Sequence, residues 1–159
     1  DSEEADILQQ YYEICDSFLE AGADIMAGSL IKNAGGVISA PFGSVMRSLL
    51  IAIYELGVNE IMVIGHYDCG VQHMDGDMMI EHMRKRGIPE DHFEYLDSCG
   101  FGIKDWLTGF SCVQEAVAKS VELVRNHPLV PHDIIIEGFL MDPTTGKIEH
   151  VDDTAWCIE

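Results

Sequence analysis

His66 and Cys69 stand three positions apart in Val63-Ile64-Gly65-His66-Tyr67-Asp68-Cys69-Gly70. A turn brings the first and fourth of four residues together, so an imidazole and a thiolate at this spacing can reach one ion. That donor pair suits Zn2+, which favours tetrahedral nitrogen and sulfur ligation. Alone, the spacing is a weak signal, and an ordinary loop histidine and cysteine account for it better. Its position strengthens it, because the pair closes the apolar run Ile61–Ile64 and open α/β sheets hold ligands at the C-terminal ends of their strands. Two donors do not complete a zinc site, so at least one more ligand must come from elsewhere. A second candidate is Asn33-Ala34-Gly35-Gly36, where glycines let backbone amides approach a small anion or polar substrate. On this segment alone, a tight strand-to-loop turn is the simpler account.

The elements around these residues read as an alternation of helix and strand. Residues 3 to 20 carry Ile7, Leu8, Tyr11, Ile14, Cys15, Phe18 and Leu19 at helical spacing. A strand is expected near 29–33, before the glycine turn. A helix follows from Ser44, the expected N-cap, to Gly57, its expected stop. Residues 60–65 form a nearly continuous apolar run, as a parallel strand buried on both faces would. Another helix is expected from Asp75 to Gly87, then an irregular stretch with short helical pieces, then a well-formed helix ending before Pro128. Strand, turn and strand close the chain, with the turn at Asp142 to Gly146. The expected fold class is α/β, a mainly parallel central sheet flanked by helices, in a single domain over 1–159 with an N-terminal helical arm at 1–20. Only three good strand candidates for the parallel sheet appear, near 29–33, 60–65 and 133–140, which is few for such a fold.

Composition narrows the functional classes. The 159 residues suffice for one domain with a proper core. With 9 basic against 28 acidic residues the net charge is −19, which disfavours nucleic acid and anionic lipid as partners. No apolar run approaches the roughly 20 residues needed to cross a bilayer. The start has neither the basic nor the apolar region of a signal peptide. Five cysteines, odd in number and irregularly spaced, suit a reducing cytoplasm with free or metal-bound thiols. Cys99, Cys112 and Cys157 have no metal-like spacing. His73, His82 and His92 are better explained as surface residues than as proton shuttles, and Met74, Met78, Met79 and Met83 as packing or interface residues than as part of a cofactor site. His127, in Arg125-Asn126-His127-Pro128, is expected to serve helix termination.

Three segments in order, Ile31–Ser39, Arg47–Gly70 and Ser120–Val151, resemble the β-class carbonic anhydrases, most closely the small microbial branch. The resemblance runs from about Leu30 to Val151. It implies zinc as cofactor, reversible hydration of CO2 to bicarbonate, and assembly as a homodimer or larger homo-oligomer with the N-terminal helix as an interface arm. Carried over by position, His66 and Cys69 are the second and third zinc ligands. Asn33, Ala34 and Gly35 line the substrate pocket, and Asp68 lies inside the motif without ligating. The family's first-strand Cys-x-Asp-x-Arg motif, which supplies the first zinc ligand and an Asp-Arg pair, has no counterpart in this sequence. Cys15-Asp16-Ser17-Phe18 lacks its spacing and its arginine, and Cys15 is expected to be a buried helix residue. The expectation is that a segment carrying the motif belongs near residues 18–19 of the full-length protein. A natural variant lacking the strand and a deletion are the alternatives.

Two other functions remain open at this point: a same-fold hydrolase of another small cumulene such as CS2, and a catalytically inert carbonic-anhydrase-like protein. The absent initiator Met points to a longer gene product. Intact-mass measurement of the native protein should give a value several kilodaltons above 17.7 kDa; a mass matching this sequence would show that no motif-bearing segment is missing.

Overall fold

The computed structural model describes residues 30–151; the expected N-terminal helix, Cys15 and Cys157 lie outside them. The elements are a short 3-10 turn at Ala34–Gly36, α1 (Ser44–Leu56), β1 (Glu60–His66), α2 (Gly76–Lys85), α3 (Glu90–Ser98), α4 (Ile103–Leu107), α5 (Val113–Arg125), β2 (Ile135–Met141) and β3 (Ile148–Val151). The described strands form one mixed sheet in the order β1-β2-β3. β1 and β2 run parallel, Glu60 opposite Ile135 and His66 opposite Met141. β3 returns antiparallel, Ile148 opposite Met141. The α/β class read from the sequence holds.

Three local expectations change. Residues 30–33 are not paired into the sheet; Asn33 is extended, but extended backbone becomes a strand only where a neighbour takes up its hydrogen bonds. Gly43, not Ser44, occupies the N-cap of α1, so the serine hydroxyl begins the helix rather than capping it. At the other end Gly57 adopts the left-handed conformation (φ 72°) as expected, and Val58 N–H donates to Ala52 O at 3.1 Å to close the helix. Among the described cysteines, Cys69 and Cys99 are free thiols, whereas Cys112 is disulfide-bonded. Parity and spacing along the chain could not reveal this, because proximity in the fold decides pairing.

The core lies where α5 crosses the sheet. Alternate residues of β1 (Ile61, Val63, Gly65) and of β2 (Ile136, Gly138, Leu140) are buried, while Met62, Ile64 and His66 on the opposite face of β1 are half-buried. The burial of β1 is thus lopsided rather than complete. The apolar stripe of α5, Val113, Val117, Val121 and Val124, packs on the buried face with Met46, Ile53 and Val130. Each fully buried valine stabilises the fold by about 1.5–3 kcal/mol. Two glycines permit the close approach: a Cβ on Gly65 would lie 2.7 Å from a Val117 methyl, and one on Gly138 2.8 Å from the other.

Beyond the sheet, Asp75 caps α2 by accepting from Asp77 N–H at 2.8 Å. The Asp142–Gly146 turn forms as read, with the Asp142 carboxylate accepting from Thr144 N–H at 2.8 Å and the Thr145 hydroxyl at 2.8 Å. Among the described residues no helix is long and apolar enough to cross a membrane.

Gly138→Ala should lower the unfolding free energy by about 1–3 kcal/mol, the usual cost of overpacking a filled core, with the denaturant slope unchanged. Chemical denaturation of the full-length protein checks it; a loss under about 0.5 kcal/mol would show that α5 can slide off the sheet.

Candidate metal centre

His66 is the last residue of β1, and Tyr67 N–H adds one further parallel-sheet bond to Met141 O at 3.0 Å. The imidazole is half-buried, and its Nδ1 lies 2.8 Å from the Tyr67 carbonyl oxygen. A carbonyl can only accept, so Nδ1 carries the proton and the Nε2 lone pair is left available. Zinc-binding histidines are held in this way, the second ring nitrogen fixed by a carbonyl or carboxylate. Asp68, exposed, turns the chain through a left-handed conformation (φ 53°), and Cys69 follows, buried at 7 % exposure with a free thiol.

The loop after Cys69 is stitched to the segment before α5. Gln72 N–H donates to Cys69 O at 2.9 Å, His73 N–H to Phe110 O at 3.1 Å and Gly109 N–H to Met74 O at 2.9 Å. The Gln72 side-chain amide adds a bond to Ser111 O at 2.9 Å. These bonds satisfy backbone groups that no regular element covers and hold the loop that carries Cys69.

The Asn33–Gly36 turn packs against β1 and the loop after Cys69 through its two glycines. Gly35 and Gly36 both have positive φ (80° and 64°), as only glycine adopts freely. A Cβ on Gly36 would lie 2.7 Å from Ile64 O, two residues before His66. One on Gly35 would lie 3.3 Å from a Val71 methyl, two residues after Cys69. The turn therefore touches the chain on both sides of the His-Cys pair. The Asn33 side chain donates to Val37 O at 2.6 Å, closing the turn on itself.

On the other side, the Tyr67 hydroxyl donates to Glu149 Oε2 at 3.3 Å, and Lys147 Nζ lies 2.6 Å from Glu149 Oε1. Burial, then the Glu149 carboxylate, pushes the Tyr67 phenol up; the Lys147 ammonium holds the Glu149 carboxyl below its usual range.

His66 and Cys69 fit zinc in donor type, burial and the fixed tautomer. Among the described residues no third His, Cys, Asp or Glu joins them in a cluster that could hold a metal ion. His73, His82 and His92 are exposed, as read from the sequence. Of the methionines, Met74, Met79 and Met83 are half-buried and Met78 is 60 % exposed. One residue went unnoticed: Ser120, buried within the valine stripe of α5. A hydroxyl at a core-facing helical position is the signal that could have marked it.

The carbonic anhydrase family model matches residues 23–148. YvdA of Bacillus subtilis, provisionally named a carbonic anhydrase, is 43% identical over 122 residues, covering 77% of this chain and 62% of its own. A carbon disulfide hydrolase of Acidithiobacillus thiooxidans is 29% identical over 127 residues, covering 75% and 61%. Among solved structures, β-carbonic anhydrase isoform I of Trichomonas vaginalis superposes with a TM-score of 0.67 at 35% identity, over 77% of this chain and 66% of that one. The chain thus spans under two thirds of the length of the curated relatives named here.

Gly36→Ala and Gly57→Ala both force alanine into a left-handed conformation, but nothing lies within 4 Å of a Cβ on Gly57. Gly57→Ala should cost about 1–2 kcal/mol. Gly36→Ala should cost at least about 1 kcal/mol more, because it meets rigid backbone. Equal losses in denaturant unfolding would show that the Asn33–Gly36 turn does not press on β1.

Proposed function

The chain belongs to the β-class carbonic anhydrase family, and from that premise we propose that the full-length protein binds zinc through His66 and Cys69 and hydrates CO2 reversibly to bicarbonate and a proton. The observation that carries this reading is the pairing of a buried thiol with an imidazole whose Nδ1–H is committed to a backbone carbonyl, at the C-terminal end of a parallel strand. When bound, zinc supplies a Lewis acid that lets water react near neutral pH. His66 would contribute Nε2 and Cys69 its thiolate, while the Tyr67 carbonyl holds the Nδ1–H of the ring. Asn33, Ala34 and Gly35 would form the wall of the substrate pocket. CO2 is small and apolar, and glycines would let the backbone of that wall come close to so small a ligand. The third ligand would come from the first-strand motif of the full-length protein.

Assembly as a homodimer or larger homo-oligomer belongs to the same reading. It is supported by the apolar surface at α1, where Phe42, Tyr54 and Leu56 are exposed, since unpartnered patches of this kind mark interaction sites. A second reading is favoured by the similarity to a carbon disulfide hydrolase: the same residues would serve hydrolysis of CS2, because fold does not fix substrate.

The full-length protein should purify with one zinc per chain and hydrate CO2 rapidly in stopped flow. Cys69→Ser and His66→Ala should each drop zinc content and activity below about 1% of the parent, since losing a ligand costs more than the 10–100-fold of losing an outer partner. Zinc with CS2 hydrolysis and no CO2 hydration selects the second reading; no zinc and no turnover sinks both.

A further inference from the structure

Two polar side chains are buried among the described residues, Ser120 at 2 % exposure and His127 at 4 %, and both are committed to one irregular stretch of chain. Ser120 Oγ accepts Ile38 N–H at 3.0 Å and donates to Ala116 O at 2.9 Å. About two helical turns further on, His127 Nε2 donates to Pro41 O at 2.8 Å, while its Nδ1 accepts Leu129 N–H at 3.2 Å. An amide can only donate here and a carbonyl only accept, so the two contacts select the neutral tautomer with the proton on Nε2. The Phe42 ring meets the imidazole edge-on, centroids 5.2 Å apart. Helix termination, the role expected for His127, requires no bond to Pro41. Beside its bonds at the helix end, the histidine fastens a distant loop.

That loop runs straight out of the Asn33–Gly36 turn and into α1. The turn itself meets β1 and the Cys69 loop through Gly35 and Gly36, which have no side chains to grip and the greatest backbone freedom of any residue. Something outside the turn must hold it. We propose that Ser120 and His127 form a two-point clasp that fixes the Asn33–Gly36 wall against the His66–Cys69 loop, making them positioning residues for the reaction; this rests on the site reading given above. Loss of the serine hydroxyl would leave the half-buried Ile38 N–H without its protein acceptor and free the wall at its nearer anchor.

In the full-length zinc-loaded protein, Ser120→Ala should lower kcat/KM for CO2 about 10-fold, because small misplacements near a reacting centre carry costs of that order or more, with zinc content unchanged. Amide exchange of residues 33–38 should accelerate about 10-fold while that of β2 stays at the parent rate. His127→Gln, which keeps a donor for Pro41, should stay within about threefold of the parent on both readouts. Parent-like kcat/KM and exchange in Ser120→Ala would overturn the clasp, as would acceleration spread over β2 as well. If the parent protein itself binds no zinc or hydrates no CO2, the functional reading falls, and the exchange pattern alone then decides the clasp.

Discussion

Val117 seated between Gly65 and Gly138 is the contact on which the described structure depends. Its two methyls occupy the space where Cβ atoms of the two strands would otherwise stand, and the valine is fully buried. Because close-packed interiors give way very little, this contact fixes the height of α5 over the sheet and its position along β1. Gly65 directly precedes His66, so the same contact sets where the imidazole leaves the strand. The glycine in the motif is thus there for the helix on one face, and the histidine projects from the other.

The rest of the site is held by backbone groups more than by side chains. The Tyr67 carbonyl orients His66, the Cys69 carbonyl takes the Gln72 amide, and the Phe110 carbonyl takes the His73 amide. Gly36 rests on the Ile64 carbonyl. Such contacts tolerate changes of side-chain identity at Tyr67 or Val71 more readily than changes of chain length, since an added residue would shift every backbone partner. The Lys147–Glu149 pair that receives the Tyr67 hydroxyl sits outside this frame, on the solvent side, where exposed ion pairs contribute little to stability.

Much of this was legible in the sequence, for identifiable reasons. α5 and β1 were readable because their apolar residues follow a strict period, and Gly57 and the Asp142 turn because their backbone chemistry is local. His66 could be placed at a strand end because the apolar run of β1 stops there. What the sequence concealed was partnership at a distance. Residues 30–33 have strand-like composition without a strand neighbour among the described residues, Ser44 has the chemistry of a cap one position too late, and nothing in the sequence around Cys112 announces its disulfide. Ser120 and His127 were hidden for the same reason: the groups they bind, Ile38 N–H and Pro41 O, are main-chain atoms that no side-chain pattern announces.

The parallel pairing of β1 with β2 joins Glu60 to Ile135, across the whole of α1's successor segments and α5. Contacts so remote along the chain form slowly, after a costly loop closure. Until they form, a newly made polypeptide carries the Cys69 thiol, later buried, open to solvent and oxidants. Shelter for that sulfur is therefore a late product of folding, delivered only when the crossover closes and the strand pair is complete.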